Sequence, residues 1–265
     1  MSDIAPPYVP APAPATQGKP IPPPFVSVVS YTLRACLPAK RWFGVLLPCV
    51  GALLFAWITQ AVDADDRVEA FAEISRQGLF GLILPLACLV IGDAVLGADA
   101  RSGTFQLTWL SPVHFGTIAV GRWLGGWLVA LVTVVPAFAL AALIAGEPEA
   151  AGSMALAAAG GAAAYIALFL LLGVLVKRST IWSLAIVLVG ERLVGGELAG
   201  IGQISPMWQA QQTFAGMWDD GGFHILREGM PDGWAAVVRL AIVTTVCLLV
   251  ATWRLGRMRP LSGDD

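Results

Sequence analysis

Six apolar stretches dominate the chain, at about residues 42–62, 78–97, 117–144, 153–176, 180–199 and 234–253. Each reaches the ~20 residues that a helix rising about 1.5 Å per residue needs to cross ~30 Å of hydrocarbon. Lipid offers no partner to an exposed amide or carbonyl, so a chain with this pattern closes its backbone hydrogen bonds inside helices. The expected fold is therefore an all-α membrane protein with six transmembrane helices. Composition agrees: 57% of the 265 residues are hydrophobic and only 13% are charged, where soluble domains carry about 25% charge. The third stretch is long enough to tilt or protrude. The fifth is interrupted by Glu191, Arg192 and Glu197.

The flanks differ in character. Residues 1–24 hold nine of the 18 prolines. They read as a disordered or polyproline-type tail, either passive or a strip for an aromatic-lined groove. No apolar core or cleavage site of a signal peptide follows the start. Residues 25–41 read as an amphipathic interfacial helix, with Val29, Leu33 and Cys36 on one face and Arg34 and Lys40 in reach of headgroups. The transmembrane domain is expected over 42–258, and 259–265 as a short tail.

Basic residues set the orientation. With the N-terminus inside, inner segments carry eleven of the Lys and Arg residues and outer segments five, while the acids divide five inside and 13 outside. Both termini are then cytoplasmic, the segment 99–112 is cytoplasmic, and 200–233 is an extracellular re-entrant segment. Trp42, Trp123, Trp182 and Trp253 fall at expected inner ends, and Trp57 and Trp234 near outer ends, as an interfacial belt requires.

Several function classes fall away. A net charge of −2 gives no footprint for nucleic acid. Cys36, Cys49, Cys88 and Cys247 lie far apart with no paired spacing, and read as apolar filling. Two histidines are too few for a His-based metal centre, and His224 with Asp219 and Asp220 lacks further ligands. No nucleophile–base pair suggests an intramembrane enzyme.

Charges in or near the spans are candidates for a translocation path or gate: Asp93 near the inner end of the second stretch, and Glu191 and Arg192 within the fifth. Glu191 and Arg192 are adjacent and cannot face each other on a straight helix, so Glu191 needs a partner from elsewhere. Arg239 fits snorkelling from the sixth stretch. Pro206 and Trp208 join the gate candidates from the segment 200–233, whose aromatics suit short helices at the outer leaflet. Gly121 and Gly125 have GxxxG spacing, and residues 155–164 (ALAAAGGAAA) form a small-residue face; both are helix-packing signals.

The segment between the second and third stretches carries chemistry of a different kind. Asp99, Arg101 and Ser102 precede Gly103–Thr104; Phe105, Trp109 and Leu110 then alternate with Gln106 and Thr108, and Ser111–Pro112 stops the run. Here the chain resembles the permease subunits of ABC-2-type (type 2) ABC exporters. That family has an acidic residue after its second span, then Gly-Thr, a Leu-rich turn, a Pro, and a Gly-Lys opening the third span. The matching residues are Asp99, Gly103, Thr104, Leu107, Leu110, Pro112, Gly121 and Arg122. Asp99 stands where Glu is usual, Arg122 where Lys is usual, and Arg101 where an acid is common. The likeness spans roughly 25–258, including Ile204–Ser205–Pro206 and Trp208, which look like the family's Pro-containing extracellular stretch.

The resemblance implies a transporter permease without its own engine. The chain has no GxxxxGK[ST] loop; Gly173 and Lys177 are followed by Arg178–Ser179, which does not fit. No cofactor is expected on this chain. ATP and Mg would bind a separate ABC ATPase subunit, coupled through Asp99, Arg101, Gly103, Thr104, Leu107, Leu110 and Pro112. A second permease copy or a paralogous permease, and membrane lipid, complete the implied partners. The implied work is outward movement of a hydrophobic or amphiphilic substrate. The Ala- and Gly-rich usage and the resemblance together place it in a bacterial inner (plasma) membrane. The competing reading is a non-transporting membrane anchor or assembly factor that recruits a cytosolic partner.

Overall fold

The computed structural model describes residues 23–36, 42–62, 66–97, 113–176, 179–194, 202–219, 225–227 and 229–257. Every regular element among them is helical. In chain order these are α1 (Pro24–Cys36), α2 (Trp42–Thr59), α3 (Arg67–Val95), α4 (Phe115–Ala145) and α5 (Ala150–Leu175). Helix α6 runs over Ser179–Ala185 and continues in wide π-type turns over Ile186–Val194. Helices α7 (Pro206–Ala215) and α8 (Gly233–Arg257) follow. Helices α3, α4, α5 and α8 are long and apolar enough to cross a membrane, which marks the protein as membrane-embedded. Helices α2 and α6 are apolar as well, with runs over Pro48–Thr59 and Thr180–Glu191 among the described residues.

Helix α5 is the centre of the bundle, packed against α3, α4, α7 and α8. It is apolar on all sides because neighbours surround it. Its Ala/Gly run lets those neighbours come close. A Cβ at Gly161 would stand 2.8 Å from Leu84 Cδ2 and 3.0 Å from Ala210 Cβ, and one at Gly160 would stand 3.0 Å from Leu240 Cδ1. The same thinness exposes the α5 carbonyls. Trp123 Nε1 donates to Ala163 O at 2.9 Å and Trp127 Nε1 to Ala159 O at 3.0 Å, their rings stacked 5.4 Å apart. Trp123 therefore binds helix to helix rather than serving as a free interfacial anchor, whereas Trp57, Trp182, Trp234 and Trp253 remain exposed.

The link from α4 to α5 shows why they are antiparallel neighbours. Gly146 takes φ 90°, and Glu147 N–H returns to Ala142 O at 3.0 Å, closing the end of α4 with a left-handed residue. Helix α3 begins well before its apolar stretch, at Arg67, because Phe71 and Ala72 are buried. Phe71 packs edge-on against Phe214 and Trp218, at centroid distances of 6.3 Å and 5.5 Å. Helix α1 lies along α4. A Cβ at Gly121 would meet Val28 Cγ1 at 2.9 Å, and one at Gly125 would meet Thr32 Cβ at 2.7 Å. The GxxxG pair thus receives the amphipathic helix, while Arg34 stays exposed.

Candidate functional site

Helix α7 positions the main polar cluster. It has ten residues, about 15 Å of helix, too short to cross a bilayer. Yet nearly all of it is buried, its glutamines included. Their Nε2 groups find backbone partners, while Gln209 Oε1 and Gln211 Oε1 have none among the described residues. Gln209 Nε2 donates to Gln203 O at 3.1 Å, Gln211 Nε2 to Arg76 O at 2.8 Å, and Gln212 Nε2 to Ile225 O at 3.4 Å. A short helix is thereby held inside a bundle, its apolar side against Gly161 and Phe80.

Its N-terminus meets Glu191, which lies on the π-type stretch of α6 and is 4% exposed. The hydroxyl of fully buried Tyr165 donates to Oε2 from α5. Ser205 Oγ donates to Oε1 at 2.8 Å, and the Met207 backbone N–H also bonds the carboxyl group. Trp208 Nε1 donates to the Glu191 backbone O at 3.3 Å. Ser205 is the N-cap of α7 and its Oγ accepts from Trp208 N at 3.5 Å, while Pro206 occupies the first turn, where no donor is missed. The carboxyl group therefore sits on the positive end of a helix, met by hydroxyls and an amide.

Depth gives this cluster its interest. Tyr165 is about 22 Å along α5 from Ala150 and about 15 Å from Leu175. An acid at that level, far from either end of a long apolar helix, is expensive in lipid and faces protein. Its chemistry here is that of an acceptor joining three elements: α5 through Tyr165, α6 through its own backbone, and α7 through Ser205 and Met207.

A second polar group gathers near the Leu175 end. Thr180 Oγ1 donates to Asp93 Oδ1 at 2.8 Å, tying the start of α6 to the end of α3. Buried Arg122 donates to Val95 O at 2.8 Å, and its guanidinium lies 5.8 Å from the Tyr31 ring centroid. A cation on the last carbonyls of α3 is favourably placed against the helix dipole. Arg122 thus bridges the two helices that bound the 98–112 connection.

Of the sequence candidates, Glu191, Pro206 and Trp208 come together, Asp93 lies in the second group, and Gly121 and Gly125 contact α1. Asp99, Arg101, Gly103, Thr104, Leu107, Leu110 and Pro112 lie outside the described residues, as do the side chain of Arg192 and residues Asp220 and His224. Sequence reasoning missed Tyr165 and the three glutamines. The available signals were a lone phenol inside an Ala/Gly-rich span and a QAQQ run beside aromatics, since buried hydroxyls and amides require partners. No protein-family model and no curated protein sequence matches the chain.

Proposed function

We propose that the protein is the membrane-spanning permease of an ATP-driven exporter, with six spans, cytoplasmic termini and a separate ATPase. The observation that carries this reading is the 99–112 segment, with its Asp99…Gly103–Thr104…Pro112 pattern, set between two long apolar helices. A coupling element needs a stiff base. The Arg122–Val95 bond and the Asp93–Thr180 bond brace the helix ends from which that segment departs. Force applied to the segment would then reach α3, α4 and α6 together rather than be absorbed in a loose loop.

The internal route for that force runs through Glu191. Helix α6 carries Thr180 at one end and Glu191 twelve residues into the same apolar run. Glu191 in turn holds the N-terminus of α7. In this reading α7 is the gate, and α6 links it to the coupling segment. The proposed cargo is hydrophobic or amphiphilic, in keeping with a chain that is 57% hydrophobic and 13% charged.

The test is co-expression of the full chain with an ATPase bearing a phosphate-binding loop encoded beside it. Co-purification, and ATP-dependent pumping of a lipophilic dye into inverted vesicles, the direction that is extrusion from the cell, are expected. Gly103→Trp should leave membrane insertion and yield intact while abolishing extrusion, because an indole in place of a hydrogen would keep the segment from seating against the ATPase. Unchanged extrusion by a well-expressed Gly103→Trp protein would overturn the coupling assignment. Co-purification without extrusion of any dye would favour the anchor reading.

A further inference from the structure

Helix α8 presents an unusual outer surface. Two shallow, open grooves lie along it, of about 380 Å³ and 310 Å³, the second the flatter, and they share Ile242 and Val246. These two side chains, 55% and 52% exposed, form a ridge with a groove on each side. The walls are apolar: Ile204, Val243 and Cys247 on one side, Val238 and Ala241 on the other. Thr245 does not break this character, since its hydroxyl is bonded to Ala241 O at 2.8 Å.

One end of the larger groove is polar. Arg239 lines it and donates through Nη1 to Gln203 Oε1 at 3.2 Å. No carboxylate pairs with Arg239 among the described residues. Gln203 spends its carbonyl on Arg239, which leaves its amide N–H groups as further donors. The groove head therefore offers donors and positive charge.

Depth fixes the environment. Trp234 and Trp253, both exposed on α8, are separated by about 28 Å of helix, close to a hydrocarbon thickness. Arg239 lies about 7 Å inward of Trp234, just below the headgroup level of that leaflet. From Arg239 to Cys247 the larger groove extends about 12 Å toward the bilayer centre.

We propose that this face of α8 is a specific site for one diacyl phospholipid of the adjoining leaflet. Its phosphodiester binds Arg239 and Gln203, and its two acyl chains straddle the Ile242–Val246 ridge. The donor-only head matches an anion that carries acceptors and no donors. The paired grooves match two chains rather than one, which separates a resident phospholipid from a single-chain amphiphile. A phosphate also neutralises an arginine that pairs with no carboxylate among the described residues and lies below the headgroups.

The test uses the full chain purified in mild detergent and examined by native mass spectrometry with added dioleoyl-phosphatidylglycerol or dioleoylglycerol. Wild type should retain one phosphatidylglycerol and no dioleoylglycerol. Arg239→Gln should weaken retention by about tenfold, the value of a charge-assisted hydrogen bond. Val246→Trp, which caps both grooves with Arg239 intact, should also lose the lipid. Both positions are at the bundle surface, so unchanged gel-filtration profiles are expected. Equal retention by wild type and both variants would overturn the proposal. So would equal retention of dioleoylglycerol, or a lipid-free dimer that Val246→Trp dissociates, which would make this face a contact between copies.

Discussion

Tyr165 and Glu191 show how much a single buried hydrogen bond can organise. Among the described residues the phenol bonds only this carboxyl group, which has donors on α5 and α7 at once. Tyr165→Phe should cost about 0.6–1.7 kcal/mol, the range for interhelical hydrogen bonds in membrane proteins. Glu191→Ala should cost more, because the Tyr165 and Ser205 hydroxyls and the Met207 amide are left dry at about 1–3 kcal/mol each. In the Glu191→Ala background, Tyr165→Phe should become neutral or stabilising. Unfolding titrations of the purified variants in mixed micelles measure this coupling, and an unchanged Tyr165→Phe cost in both backgrounds would show that the two do not act together. The sequence marked Glu191 as needing a partner, since an acid within an apolar run is conspicuous. It could not name Tyr165, because 26 positions separate them and only packing brings them together.

At the scale of elements, length and apolar content were legible and insertion was not. The apolar stretches expected at 117–144, 153–176 and 234–253 correspond to α4, α5 and α8 within a few residues. Helix α3 begins earlier than its apolar stretch, at a polar turn whose Phe71 is claimed by α7. Helix α7 itself has the composition of a surface helix. Its glutamines are buried because backbone carbonyls of neighbouring segments receive them, a circumstance that no window of local sequence records. The GxxxG spacing was visible, but its partner was not: the close approach is to α1. Gly125→Leu should therefore push α1 off α4 at a cost of about 1–3 kcal/mol, since Thr32 and the Val29 carbonyl already occupy the space. Limited proteolysis should then cut near Arg34 in the variant and spare it in wild type. Equal cleavage rates would mean that α1 is not held by this contact.

For the whole molecule the charge asymmetry makes a directional claim that helix packing alone does not. Antiparallel α4 and α5 put Gly146–Glu149 at one end of the bundle, with Gln60 nearby through its bond to Ile144 O. In the proposed orientation that end faces out, and the segments that carry eleven of the 16 Lys and Arg residues of the sequence face the cytoplasm. The four native cysteines are all buried, so a membrane-impermeant maleimide has little background to report. Glu149→Cys, at an exposed turn, should label in intact spheroplasts. Ser2→Cys and Ser262→Cys should label only after permeabilisation. The opposite pattern would place 99–112 outside the cell, beyond reach of ATP, and would remove the exporter reading along with the orientation. Labelling of Ser2→Cys and Ser262→Cys from opposite sides would instead mean an odd number of crossings. Helices α2 and α6 would then divide between a crossing and a re-entrant segment. The phospholipid site on α8 survives either outcome, because it depends on depth below Trp234 and not on which leaflet that tryptophan faces.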